Sequence, residues 1–352
     1  MGRFGWSAVI VFGASMLLGA MWDVSESFTA PAAAFTLEGP FTHENLAVYF
    51  VHGSTSDARQ YITLDEGLAA RTVKVREKGT RAGQDRAEVN SLEIENASDS
   101  WLFLQAGDIV KGGKQDRAIM TDLTLAPHSG PQPLDAFCVE HGRWTAGRDG
   151  LAFMQSPGMV AGSSLKAAIQ GEKNQSRVWQ EVAKAEALAV TAARAAGESI
   201  PAQARLSSTG TYNAIAENKT VSGNRDAYVT ALLPHAKKQT RAIGLAIAIN
   251  GTVRSADVYA SPVLFQRVVG KLLNSYALEA LLARDGRPRA PAPTKPQVMA
   301  FLSKPAAAQE SAETIGGSMH RVTRETDESV MYEYGHLRDK RAVMVHQNYL
   351  KK

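Results

Sequence analysis

The chain has 352 residues, 44% of them hydrophobic, enough for one large domain or two medium ones with a real core. Its single cysteine, Cys138, cannot form an internal disulfide, and a core of this size needs none. Lys and Arg number 39 against 35 Asp and Glu, a formal charge of +4 with the two signs interleaved, so there is no basic stripe of the kind that binds nucleic acid.

The first 34 residues begin "MGRFGWSAVIVFGASMLLGAMW", with Arg3 ahead of an uncharged apolar run from Phe4 to Trp22. Export to the periplasm or cell envelope is the expectation, in one of two forms. A signal peptide would use the Ala8 to Ala20 centre and the small-residue site "APAAAF", cut after Ala34. An uncleaved anchor is the alternative, because Phe4 to Trp22 is just long enough to span a bilayer and would tie the protein to a membrane. A buried cytosolic helix is the third reading of the same run.

Residues 36–285 read as one unit. Short strands are predicted at "LAVYFVH", "TVKVREK", "EVNSLEIEN", "WLFLQ", "RAIMTDLTL" and "LDAFCVEHG", each alternating or briefly apolar and bounded by Gly, Asn, Asp or Pro. Between the first two, "TLDEGLAA" predicts a short helix with Thr63 as N-cap and Glu66 completing a capping box. From Ser163 to about Ala196 the chain is rich in Ala, Glu, Lys and Gln, which predicts a long helix or helix pair with Val178, Val182, Ala185 and Ala189 on one face. "AIGLAIAINGTVRSADVY" predicts a strand buried on both faces, an Asn250-Gly251 turn of type I′ and a return strand. Ser261 then caps a helix with Pro262 at its first position, whose apolar pairs recur every four residues from 264/265 to 280/281. Residues 286–316 are Pro- and Ala-rich and read as an exposed connection around one short helical piece, and 317–352 as a small antiparallel meander.

Four strings, "TLDEGLAARTVKVRE", "NSLEIENASDSWLFLQAGDIVKGGKQDR", "FCVEHGRW" and "AIAINGTVRSADVYASPVLFQRVVGKLLNSYALEAL", resemble the ARG and Rhodanese-Phosphatase-superfamily-associated Protein domain, over about residues 45–282. The family is named for gene neighbourhoods that contain ADP-ribosylglycohydrolases. What the resemblance implies is a shape in which "GGKQDR" and "CVEHGRW" matter most; it brings no reaction with it.

Those two segments carry the candidate site. Gly112 and Gly113 permit a backbone nest that aims N–H groups at one point, Lys114 and Arg117 add charge, and Gln115 would orient a guest. A plain Gly-Gly hairpin turn with polar flanks is the competing reading. In "CVEHGRW", Glu140 is a general-base candidate or the partner of an arginine such as Arg117, Arg143 a clamp for an acidic ligand, and Trp144 a stacking platform. The competing reading buries Cys138 as a small apolar residue and pairs Glu140 structurally. Cys138, Glu140, His141 and His128 have no metal-ligand spacing, so no metal is expected, and no cofactor motif occurs. Glu77, between Arg76 and Lys78, reads as part of a solvated face, Asp257 as a strand-end acid with a structural role, and the remaining histidines, among them His336 and His346, as surface residues.

The expected fold class is α+β, mainly antiparallel sheet covered by the two long helices, with a small C-terminal β-meander. The expected function is binding of an anionic small molecule, such as a phosphorylated nucleotide or sugar, in a polar pocket. Hydrolysis of that ligand by Glu140 is one alternative, and a structural or interaction protein of the envelope the other. Accessibility of Glu140 separates the first two.

Overall fold

In this computed structural model the described residues are 35–78, 90–145, 152–201, 205–284, 286, 288–316, 319–338 and 341–352. The expected leader, residues 1–34, lies outside them. Strands β1 (Thr36–His43), β2 (Leu46–His52) and β3 (Tyr61–Thr63) lead into α1 (Leu64–Ala69). Next come β4 (Val73–Glu77), β5 (Ser91–Asn96), β6 (Trp101–Leu104), β7 (Asp108–Gly112), β8 (Arg117–Ile119), β9 (Leu123–Leu125), β10 (Ser129–Cys138) and β11 (Phe153–Val160). The helical stretch is α2 (Ser163–Ala167), a π-helical turn at Ala168–Glu172, α3 (Gln175–Ala195), α4 (Tyr212–Glu217) and α5 (Lys219–Lys238). After it come β12 (Gly244–Ile249), β13 (Thr252–Tyr259), α6 (Pro262–Leu282), α7 (Lys295–Ser303), β14 (Gln309–Ile315), β15 (Met319–Glu325), β16 (Ser329–Arg338) and β17 (Arg341–Lys351).

Local sequence signals account for several boundaries. Thr63 and Glu66 exchange the two bonds of a capping box at α1. Asn250 and Gly251 both take positive φ, +51° and +75°, and reverse the chain between β12 and β13. The Ser261 hydroxyl accepts from Leu264 N–H, and Pro262, whose missing N–H needs no partner there, opens α6. Every residue of β12 is buried, because β2 and β13 flank it and side chains cover both of its faces.

The strands form an eight-stranded sheet in the order β1-β2-β12-β13-β17-β16-β15-β14, a six-stranded sheet β11-β7-β8-β10-β5-β4 and a three-stranded sheet β3-β6-β9. All these pairings are antiparallel except β3 with β6. The sheets bend into a nearly closed, barrel-like wall.

This arrangement corrects the expected fold class of a sheet covered by long helices. Strand exceeds helix, 38% against 33%. Of the seven α-helices among the described residues, α1, α2, α4 and α7 span nine residues or fewer. Sheet packs on sheet over much of the core: Val75, Leu92, Ile94, Val110 and Leu134 share one apolar cluster with Met319, Tyr332, Tyr334 and Leu350. The long helices α3, α5 and α6 pack on one another as well as on strands β1, β10, β11 and β12, in a cluster that includes Val178, Val182, Tyr228, Leu232, Leu272 and Tyr276. The C-terminal strands β14 to β17 do pair in succession as an antiparallel meander, and it is joined to the rest of the fold. β17 pairs with β13, Asp257 opposite Asn348, so the last strands continue the main sheet.

Candidate functional site

The turn between β7 and β8 needs both of its glycines. Gly112 and Gly113 have φ of +128° and +52°. A Cβ on Gly112 would lie 2.6 Å from the Ala152 carbonyl oxygen, and one on Gly113 would overlap the Phe153 ring. The turn does point N–H groups inward, yet the acceptors belong to the protein itself. Gly112 N–H donates to Asp116 Oδ1 at 3.0 Å, Gly113 N–H to Ala152 O at 3.1 Å and Lys114 N–H to Glu77 Oε1 at 2.8 Å. Arg117 donates to the two Glu77 oxygens at 3.2 and 3.3 Å and to the Gln115 carbonyl at 2.9 Å. Glu77 therefore occupies the nest. It is 2% exposed, which corrects the expectation of a solvated face: its partner comes from another strand, not from its neighbours in sequence.

The segment around Glu140 closes over this turn. Glu140, 3% exposed, accepts from the Arg143 guanidinium at 2.6 to 3.1 Å and from Asp116 N–H at 3.0 Å. Burial alone would push its carboxyl up. The bonds from Arg143, Thr209 and Asp116 outweigh burial and hold it below the usual glutamate range. Arg143 also donates to the carbonyls of Gly113 and Gly112, at 2.7 and 3.2 Å, so it clamps the turn. Gln115 donates to the His141 carbonyl at 3.3 Å, and the Trp144 ring lies 5.1 Å from Lys114 Nζ and 5.7 Å from Arg117 Cζ.

All the predicted site residues thus converge, and the groups around the turn bond mainly to one another. Arg117 pairs with Glu77, and Arg143 with Glu140 and Asp116. Asp116 is further held by the Thr211 hydroxyl at 2.6 Å and the Asn213 amide at 2.8 Å. Cys138 is fully buried and its thiol is pushed up by that burial, the opposite of what a thiolate nucleophile needs. Among the described residues no three His, Cys, Asp or Glu side chains are placed to hold a metal ion.

A second polar cluster escaped the sequence reading. His346 on β17 bridges Asp122, at 2.6 Å from Nδ1, and Asp257 on β13, at 3.2 Å from Nε2. Its ring stacks on Tyr259 with centroids 4.4 Å apart. Burial would lower its pKa, but the two carboxylates prevail and raise it to about 9. Asp257 also takes Lys166 Nζ at 3.2 Å, the Asn348 amide at 2.9 Å and the Tyr276 hydroxyl. Lys271 pairs with Asp108 at 2.6 Å close by. His336 and His346 are each 2% exposed, so neither is the surface residue that was expected. Both lie in β-strands facing the gap between sheets, where pairing partners come from distant segments.

Open space lies elsewhere. A cleft of about 260 Å³ is walled by Leu165, Leu188, Ile249 and Leu282, and its polar lining includes Ser163, Tyr212, Arg254 and Glu279 together with Glu181 and Lys184, which pair with each other at 3.9 Å. Asn250 and Asn45 donate to the Ala283 and Ala280 carbonyls and tie down the end of α6 nearby. Glu279 Oε2 accepts both the N–H and the hydroxyl of Ser163, each at 2.9 Å. Burial raises its pKa, and the Ser163 bonds and the positive charges of Arg254 and Lys166 offset that only in part. Arg254, exposed at the rim, makes no salt bridge with any described residue. A charged residue inside the apolar stripe of α6, between the 276/277 and 280/281 pairs, was the sequence signal for Glu279. Nothing local announced Ser163 as its partner, 116 positions away.

The fold and these sites define a protein of packed antiparallel sheets with an ion-paired interior and a separate, largely apolar cleft. The chain belongs to the ARG and Rhodanese-Phosphatase-superfamily-associated Protein domain family, whose model matches residues 34–350. That match takes in the C-terminal strands as well as the segments that carried the resemblance. No curated protein and no solved structure matches the chain. No helix among the described residues is long and apolar enough to cross a membrane.

Proposed function

We propose that this protein binds an anionic small molecule, and that it does so in the cleft between Arg254 and Glu279 and not at the Lys114–Arg117 turn. One observation carries the reading: Arg254, which lines the cleft, makes no salt bridge with any described residue, whereas Arg117 and Arg143 at the turn are already paired with Glu77 and Glu140. A mostly apolar cleft with a few converging polar groups and a perturbed carboxyl is the usual form of a small-molecule site. Tyr212 and, while it carries its proton, Glu279 would supply hydrogen bonds, and Arg254 the opposing charge. Hydrolysis by Glu140 finds no support, because a carboxylate saturated by Arg143 and Asp116 N–H has no capacity left to take a proton from water. Export is the proposed setting, on the strength of the Phe4 to Trp22 run.

Thermal shift over phosphorylated and carboxylated metabolites tests this, with Arg254→Gln and Lys114→Gln run beside the parent chain. A ligand at a hundredfold excess over its Kd adds about 2.7 kcal/mol of stability. The stabilisation should vanish in Arg254→Gln and survive in Lys114→Gln. The reverse pattern would return the site to the turn and overturn the proposal.

A further inference from the structure

The cleft does not end at Leu188 and Leu282. Both residues also wall a second cavity of about 290 Å³, which continues between α3 and α6 past Ala192 and Ala195 to Arg284. The two spaces therefore meet at Leu188 and Leu282. Along α3 the lining of this groove runs from Glu181 to Ala196, a rise of about 22 Å at 1.5 Å per residue.

Its walls and its ends differ in kind. Where the cavities meet, Leu188 is 40% exposed, one of the few large apolar side chains left open to water. At the far end the Arg284 guanidinium already donates to the Tyr228 hydroxyl at 2.8 Å and lies 3.8 Å from Glu44. At the near end Arg254 has no such partner. The groove thus has Arg254 at one end, beside the Lys184–Glu181 pair at 3.9 Å, an apolar middle, and at the other end Arg284, already partnered.

Resting on the anion-binding reading above, we infer that the ligand is an amphiphile, its anionic head at Arg254 and an unbranched aliphatic tail lying along the face of α3 that lines the groove. The tail covers Leu188 and removes its exposed surface from water, the ordinary source of affinity for an apolar chain. Charge complementarity sets its direction. A tail entering from the other side would leave Arg254 facing aliphatic carbon and bring an anion towards Glu44.

Calorimetric titration of the full chain with butyrate, hexanoate, octanoate and decanoate reads both parts of the inference. Affinity should rise about fourfold per added methylene, the ratio expected for full burial of each CH₂. Arg254→Gln should weaken all four by a similar factor. Ala192→Glu, which places a charge in the groove on a helix that tolerates it, should abolish the dependence on length while leaving butyrate unchanged, and Leu188→Ser should shrink that dependence. If the acids bind through Arg254 with no gain from the tail, the amphiphile inference fails and the anion reading stands. If affinity grows with length but Ala192→Glu has no effect, the groove is the wrong location. No binding by any of the four, where the metabolite panel also gave no Arg254-dependent ligand, would remove both.

Discussion

Arg117 Nη2 lies 3.2 Å from Glu77 Oε1, and neither side chain has any solvent exposure. The pair joins the end of β4 to the start of β8 and fills the space that an anion would need. Removing one member strands a buried charge, which typically costs about 3–5 kcal/mol. Arg117→Ala is therefore predicted to lose about that much in urea unfolding, and the double variant Glu77→Gln/Arg117→Met to recover a good part of it. A loss below about 1 kcal/mol would mean that the turn is held by something else.

His346 gives a pH signature. Its folded pKa is raised, to about 9, above the ordinary histidine value by Asp122 and Asp257. The imidazolium therefore stabilises the fold fully below about pH 6.5, and that contribution drains away as pH rises towards 9. The shift corresponds to about 3 kcal/mol. Unfolding free energy should fall across this window in the parent chain and fall less in His346→Gln. Parallel pH profiles for the two proteins would show that the histidine is neutral in the folded state.

Glu279 makes a separate statement about binding. Burial beside Ser163 raises its pKa, so it keeps its proton to higher pH than an exposed glutamate. While protonated it donates to an anionic guest; once ionised it repels the guest. Affinity for an anionic ligand should fall as pH rises through this titration, by about tenfold for one like charge screened as in a protein cleft. Glu279→Gln should bind with little dependence on pH. A wild-type affinity that rises with pH would contradict the geometry.

How much of this was legible in the residues depends on the distance over which each feature is determined. Thr63 with Glu66, Asn250 with Gly251 and Ser261 with Pro262 act within four positions, and each appears where its chemistry requires. The convergence of "KGGKQDR" with "CVEHGRW" was also readable, through β8 and β10 and the resemblance. What the segments do together was not, because Glu77 enters from β4, and a glutamate between Arg76 and Lys78 looks solvated until its strand is placed. The same limit hid His346, which meets Asp257 only because β17 pairs with β13. The fold class failed for a related reason. Apolar stripes on the helices were visible, whereas the packing of the six-stranded sheet against the C-terminal strands depends on pairing that no local pattern encodes.

A crystal structure of the full chain with the strongest stabiliser from the metabolite panel tests the central claim directly. The account predicts the ligand's anionic group within about 3 Å of the Arg254 guanidinium, in the cleft that Glu279 and Ser163 line. An anionic group resting instead against Lys114 and Trp144, with Glu77 displaced from Arg117, would contradict it.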